Sequence, residues 1–174
     1  LVCNHTAGID PLLIQAVVRR PVRWLMAAEY MHGALRWFWC LVNPIGVKRD
    51  GSDRTAVRAA VAALAEGDLV GMFPAGRLPE HPGHSRPFSA GVALVAGRAL
   101  APIVPVWISG TPQARGVWAS FIRPSQSRIA FGQPFTVHDL GLSDLSDRRA
   151  VAQAIQQRVE AVGLRGPAPG EGFR

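Results

Sequence analysis

Short apolar runs alternate along this chain with longer stretches whose apolar residues recur at helical spacing, and Gly, Pro, Asp and Ser stand at the breaks. Leu1–Cys3 reads as the end of a strand. Pro11–Val18 reads as the helix behind it, since Pro11 suits a first helical turn and Asp10 is a good cap before it. Val22–Ala27 predicts a second strand, Glu29–Val42 a helix and Ile45–Lys48 a third strand. Ser52 or Asp53 then caps an Ala-rich helix that runs to about Glu66, where Gly67 stops it.

The alternation continues. Leu69–Phe73 predicts a buried strand, followed by a Pro-, Gly- and His-rich loop from Pro74 to Pro87. Ser89 caps an apolar helix ending near Leu100, Ile103–Ile108 is another strand and Ser127–Phe131 a later one. Ser146–Val162 has the spacing of an amphipathic helix, with Val151, Ala154, Ile155, Val159 and Val162 on one stripe. The remainder, 163–174, has no apolar pattern and reads as a flexible tail. Alternating strands and helices predict an α/β fold: one domain, 1–162, around a mainly parallel (mixed) central sheet flanked by helices. No repeat or linker divides it, and 174 residues suit one well-packed domain but not two.

Composition narrows the class. With 48% hydrophobic against 18% charged residues, the chain is not a disordered one. Its longest apolar stretch, Ala34 to Val42, carries Arg36 and falls short of the ~18 residues a membrane-spanning helix needs. Because the sequence opens inside an apolar strand end, it is expected to be a piece of a longer chain whose anchor or signal, if it has one, lies upstream. The net charge is +7, nearly all from arginine, since Lys48 is the single lysine. That charge suits anionic lipid, phosphate or nucleic acid, but a composition rich in Ala, Arg, Gly and Pro produces it as well. The arginines are spread along the chain and no nucleic-acid-binding motif accompanies them. Cys3 and Cys40 show neither metal-ligand spacing nor a disulfide framework, which points to a reducing compartment.

Candidate chemistry sits where predicted strands end. Asn4-His5-Thr6-Ala7-Gly8-Ile9-Asp10 lies between a strand and a helix, the usual place for a site in an open α/β sheet. A loop of this length lets the Asp10 carboxylate accept from one nitrogen of His5, leaving the other free to take a proton from a hydroxyl. Asp10 would fix the tautomer and stabilise the imidazolium. The competing reading of these residues alone is that Asp10 merely caps the helix and His5 bonds locally.

Ile45-Gly46-Val47-Lys48-Arg49-Asp50 places two cations and a glycine at a strand end. Gly71-Met72-Phe73-Pro74-Ala75-Gly76-Arg77 runs a buried strand into a turn and then an arginine. Arg49 and Arg77 could therefore face one anionic group, with donor forks that match phosphate. A solvated basic turn is the alternative. Pro105, in Ile103-Val104-Pro105-Val106, is expected on an edge strand or where a pocket is shaped.

Two further clusters carry less. Glu80-His81-Pro82-Gly83-His84 lies in a Pro- and Gly-rich loop, a poor cage for a metal. Trp24, Trp37, Phe38 and Trp39, interleaved with Arg19, Arg20, Arg23 and Arg36, suit either a membrane interface or the core side of a sheet-covering helix.

These blocks, in this order, resemble the glycerophospholipid acyltransferase family. The matching residues are Asn4, His5 and Asp10; Gly46 and Arg49; Phe73, Pro74, Gly76 and Arg77; and Val104, Pro105 and Val106. Pro87 to Ala93 resembles the segment that precedes the family's fourth block, and Ala130 to Pro134 its later strand and Gly-x-Pro turn. The resemblance covers about residues 1 to 160 and is carried by the joint order of the blocks.

It implies transfer of a fatty acyl group from an acyl-CoA or acyl carrier protein (ACP) thioester to a hydroxyl of a lysolipid. The acceptor it implies is 1-acyl-sn-glycerol-3-phosphate or a related lysophospholipid. His5 and Asp10 would be catalytic, Gly46, Arg49, Gly76, Arg77 and Pro105 would bind substrate, and neither metal nor cofactor is required. The implied partners are the acyl donor, the lysophospholipid and a membrane surface, with no nucleic acid. The implied location is the cytoplasmic face of the inner membrane, held peripherally or by an upstream anchor. One position departs from the family pattern: Ala75 stands where most members have Glu. That substitution keeps two alternatives open, an ornithine-lipid- or hemolysin-like acyltransferase with another acceptor, and a non-catalytic lipid-binding relative.

Overall fold

The computed structural model describes residues 1–28, 43–47, 54–78, 86–111 and 126–165. Apolar runs too short for helices pair side by side into one six-stranded sheet. Its strands are β1 (Val2–Cys3), β2 (Val22–Ala27), β3 (Ile45–Val47), β4 (Leu69–Met72), β5 (Pro105–Ser109) and β6 (Arg128–Phe131). They lie in the order β3-β2-β4-β1-β5-β6. Every pairing is parallel except that of β6, which runs antiparallel to β5 with Ile108 opposite Ile129. The expected α/β fold with a mainly parallel sheet is the one observed.

The helices follow the apolar periodicity. α1 (Asp10–Val17) buries Ile14, and α2 (Arg54–Ala65) buries Ala56, Val57, Ala60 and Ala63. α3 (Ala90–Ala99) buries Val92, Ala93, Val95 and Ala96. α4 (Arg148–Arg165) buries Val151, Ala152, Ile155 and Val159, so Ala152 takes the core position that periodicity gave to Ala154. Val137–Leu140 adds a single 3₁₀ turn closed by a capping box between Thr136 and Asp139.

Packing forms two cores, one on each face of the sheet. On one face Val2, Ile45, Val70 and Met72 meet α2, α3 and α4. On the other, Cys3, Val22, Trp24, Val106 and Ile108 meet Ile14 of α1. Trp24 is 1% exposed, so its indole belongs to the core and not to a membrane-facing surface. Gly71 makes that possible, because a Cβ there would stand 2.5 Å from the indole ring.

Several local expectations change. Asp10 is the first residue of α1 and not its cap; Ile9 takes the cap position and, having no polar side-chain atom, makes no cap bond, while the Asp10 carboxylate accepts from Thr6 and Ala7 in the preceding loop. Ser89 does occupy the cap position of α3, but its side chain makes no cap bond. The strand begins at Pro105, while Ile103 pairs separately with Phe135. Pro105 is not on an edge: β5 lies between β1 and β6, and the proline is tolerated as the strand's first residue. α4 passes through Gly163 to Arg165, because Gly163 lies flat against Trp107, where a Cβ would come within 2.5 Å of the indole. The predicted helix Glu29–Val42, Lys48, the caps Ser52 and Asp53, the Glu80–His84 cluster and the tail 166–174 fall outside the described residues, as do Arg36, Trp37, Phe38, Trp39 and Cys40.

This topology locates the place for a site. From β1 the chain leaves through α1 on one face; from the adjacent β4 it leaves through α3 on the other. Between neighbouring strands whose connections diverge, a crevice opens at their carboxyl ends. His5 follows β1 and Phe73 follows β4.

Candidate active site

Beyond Cys3, β1 gives way to a loop organised around one carboxylate. Asp10 is 0% exposed, and an isolated charge there would be strongly unfavourable. The loop supplies the compensation. Asp10 Oδ2 accepts the backbone N–H of Thr6 at 2.7 Å and of Ala7 at 2.9 Å, and Thr6 Oγ1 lies 3.1 Å from Oδ1. The first turn of α1 adds the positive end of its peptide dipoles. Held this way, the same oxygen also accepts from His5 Nδ1 at 2.9 Å.

The imidazole is fixed from a second direction. Its ring stacks on Phe73 with centroids 4.4 Å apart and planes at 26°, and Phe73 stacks on Trp24 at 5.1 Å and 14°. A buried carboxylate can only accept, so Nδ1 carries the proton and Nε2 presents its lone pair. With 17% of its side chain exposed, His5 is reachable while Asp10 is not. An oriented imidazole of this kind can take a proton from a hydroxyl.

Cys3 is close in sequence but offers no competing nucleophile. It is buried, and burial pushes its thiol up to about 12, so it stays protonated and unreactive.

Asn4 ties the loop to the sheet. Its Nδ2 donates to Ile108 O at 2.8 Å, and its Oδ1 accepts Ile108 N–H at 2.7 Å. The carboxamide thus stands in for the next peptide of the ladder where β1 ends. Further out, Thr111 Oγ1 lies 2.7 Å from Thr6 Oγ1.

The other predicted site residues are dispersed. Gly76 closes a tight turn after β4, its N–H bonded to Phe73 O at 3.0 Å and its φ at +69°, and Arg77 follows it, exposed. Gly46 lies within β3, opposite Met26. Arg49 falls outside the described residues, so its meeting with Arg77 is an expectation only. Pro105 pairs with Val2 and lies under Gly132, on the sheet face away from Cys3; the structure does not bring it to His5. Thr6, Phe73 and Thr111 were not among the predicted site residues, although all three touch the His5–Asp10 pair directly or through one hydroxyl. The available signal was position: each follows the carboxyl end of a strand. Among the described residues, no three His, Cys, Asp or Glu side chains gather into a possible metal site, and no helix is long and apolar enough to cross a membrane.

Comparison with known proteins adds a family and a fold. The sequence model of the acyltransferase family matches residues 1–109. A 1-acyl-sn-glycerol-3-phosphate acyltransferase of Bacillus subtilis (strain 168) is 19% identical over 165 residues, which are 92% of this chain and 78% of that protein. The crystal structure of the 1-acyl-sn-glycerophosphate acyltransferase PlsC from Thermotoga maritima matches with a TM-score of 0.62 and 22% identity. The match covers 94% of this chain and 66% of that one, and is a likeness of fold.

Proposed function

Since the chain belongs to the acyltransferase family, we propose that it moves a fatty acyl group from an acyl-CoA or acyl-ACP thioester to the hydroxyl of a lysophospholipid, 1-acyl-sn-glycerol-3-phosphate or a close relative, in phospholipid synthesis. The observation that carries this reading is the 2.9 Å bond between His5 Nδ1 and a fully buried, fully bonded Asp10 carboxylate.

The chemistry follows from that bond. His5 Nε2 takes the proton of the acceptor hydroxyl while Asp10 stabilises the imidazolium. The acceptor oxygen forms a bond to the thioester carbon, and the tetrahedral intermediate collapses by breaking the C–S bond. The proton on His5 then neutralises the departing thiolate. A positioned base contributes about 10²–10⁴-fold, so alignment of the two lipid chains must supply much of the remainder. Transfer is direct, without an acyl-enzyme on Cys3, in keeping with that thiol's burial. Arg77, exposed four residues beyond Phe73 at the turn after β4, is the cation the reading assigns to an acceptor phosphate. The excess of arginine supports work at the anionic cytoplasmic face of the inner membrane.

The test is an assay of the full-length protein with lysophosphatidate in mixed micelles and either acyl-CoA or acyl-ACP, the product identified by mass spectrometry. Wild type should form diacylated product, and His5→Ala should retain less than a few per cent of the rate with its fold intact. Asp10→Asn should be nearly as impaired, since an amide cannot stabilise the imidazolium. Undiminished turnover by folded His5→Ala would overturn the assignment.

A further inference from the structure

The loop bearing His5 and Asp10 is fastened to β5 at two points. One is the Asn4 carboxamide on Ile108. The other begins at Thr111, a buried polar residue two positions beyond the strand. Between them stands Gly110, with φ at +70°; a Cβ there would lie 2.2 Å from the carbonyl oxygen of Gln126. Only glycine fits that turn, and the turn is what carries Thr111 back over the β1 loop.

The polarity of the hydrogen bonds is fixed by elimination. Asp10 can only accept, so Thr6 spends its one hydroxyl proton on the carboxylate, 3.1 Å from Oδ1 and 3.3 Å from Oδ2. Across the 2.7 Å separation between the two threonines, Thr6 must then be the acceptor and Thr111 the donor. The chain runs from Thr111 to Thr6 to Asp10, and His5 donates into the same carboxylate from the other side. A hydroxyl that accepts becomes a stronger donor, so Thr111 strengthens the bond that Thr6 makes. It also denies Thr6 the freedom to turn towards another acceptor.

We infer that Thr111 is a positioning residue for acyl transfer, acting through Thr6 to hold the Asp10 carboxylate and, with it, the orientation and basicity of His5. The inference rests on His5 being the general base. Without the Thr111 hydroxyl, Thr6 donates more weakly and Asp10 turns more of its charge on the imidazole. The imidazolium is then favoured, and the acid limb of the pH–rate profile moves to higher pH. A residue that merely filled space would leave that limb in place.

The experiment compares Thr111→Val, Thr111→Ser, Thr6→Val and the double valine variant of the full-length protein, with His5→Ala as a control. Thr111→Val should lower kcat by about 10-fold, the size of one lost hydrogen bond, with the KM for donor and acceptor within about 2-fold of wild type. Its acid limb should rise in pH, and Thr111→Ser should restore both rate and limb. The double variant should be no slower than Thr6→Val alone, because one chain can be broken only once. If Thr111→Val does not fold, Thr111→Ala removes the hydroxyl by truncation and reads out the same way. Wild-type kcat and an unmoved limb in the hydroxyl-free variant, or fully additive losses in the double variant, would overturn the role of Thr111. Should His5→Ala instead remain active, the general-base assignment fails and not this link alone.

Discussion

Asn4 holds the peptide groups of Ile108 from both sides, donating to its carbonyl at 2.8 Å and accepting its N–H at 2.7 Å, across more than half the length of the chain. β1 has ended by then, so a side chain continues the parallel ladder that the backbone has left. The next residue is thereby released from strand geometry and can turn towards Asp10.

Removing this clamp should be expensive. Asn4→Ala leaves a buried N–H and C=O of Ile108 unpaired, and the expected loss is about 2–3 kcal/mol of unfolding free energy, or ~5–10 °C in Tm. Asn4→Asp should also destabilise, because it sets a carboxylate oxygen against the Ile108 carbonyl. Urea denaturation of both variants measures the effect, and a change below about 0.5 kcal/mol would contradict it.

The ring under His5 gives a second expectation. Phe73→Leu keeps apolar volume but loses the stacked face at 4.4 Å, so kcat should fall by about 3-fold, the lower end of a cation–π contribution to the imidazolium. Phe73→Tyr should stay near wild type. Steady-state kinetics on the two variants, with circular dichroism as a check on folding, separates stacking from simple packing.

Arg77 is exposed, so Arg77→Ala should leave Tm unchanged. If it grips the acceptor phosphate, the acceptor KM rises by about 10-fold while the donor KM holds. Arg77→Lys should recover part of this, since a single ammonium lacks the paired donors of a guanidinium. An unaltered acceptor KM in Arg77→Ala removes it from the site.

Ala75 packs half-buried against the larger apolar cluster. Ala75→Glu should therefore lower Tm, by roughly 2–6 °C, as a carboxylate is forced out of an apolar contact. The same substitution introduces the Glu that the resemblance to the acyltransferase pattern leads one to expect at this position, and should move acceptor preference towards 1-acylglycerol phosphate. A panel of lysolipids assayed at matched donor concentration tests this, and an unchanged ranking shows that Ala75 does not select the acceptor.

Cys3 supplies a pH prediction. Its folded thiol titrates at about 12, against an ordinary 9.0, so the unfolded chain releases that proton first as pH rises. Stability carried by the neutral thiol is complete below pH 9 and declines between 9 and about 12. Urea midpoints at pH 8 and pH 10 should thus diverge more in wild type than in Cys3→Ala. Native protein treated with iodoacetamide at pH 8 should show no label on the Cys3 peptide.

How far the sequence discloses this arrangement depends on the range of each interaction. Val22–Ala27 is read to the residue, because five of its six residues are apolar, with Arg23 the exception, in a run too short for a helix. The His5–Asp10 pair is also legible, since both partners lie in one loop. Asp10 fits two readings of the sequence, because cap chemistry and orientation of a histidine ask for the same residue; only the contacts with Thr6 and Ala7 separate them. Pro105 misled because proline signals a disturbed ladder without telling an edge from a strand's first residue. Asn4 and Thr111 were invisible as partners of Ile108 and Thr6, being joined through a fold that no local pattern encodes. Gly163 falls where the apolar pattern stops, yet α4 continues through it, and its lack of a side chain leaves room for the indole of Trp107.

The two-residue strand β1 has neighbours that are made long after it. Val2 pairs with Met72 and with Pro105, roughly 70 and roughly 100 residues later, and pairings at such separation form only once the intervening chain has been closed into loops. On the ribosome, His5 and Asp10 therefore leave the exit tunnel well before anything exists to hold them in register. Until Ile108 and Thr111 have also emerged, the nascent loop is a histidine and an aspartate on an unanchored chain, and the pair takes its folded geometry only when synthesis has passed β5.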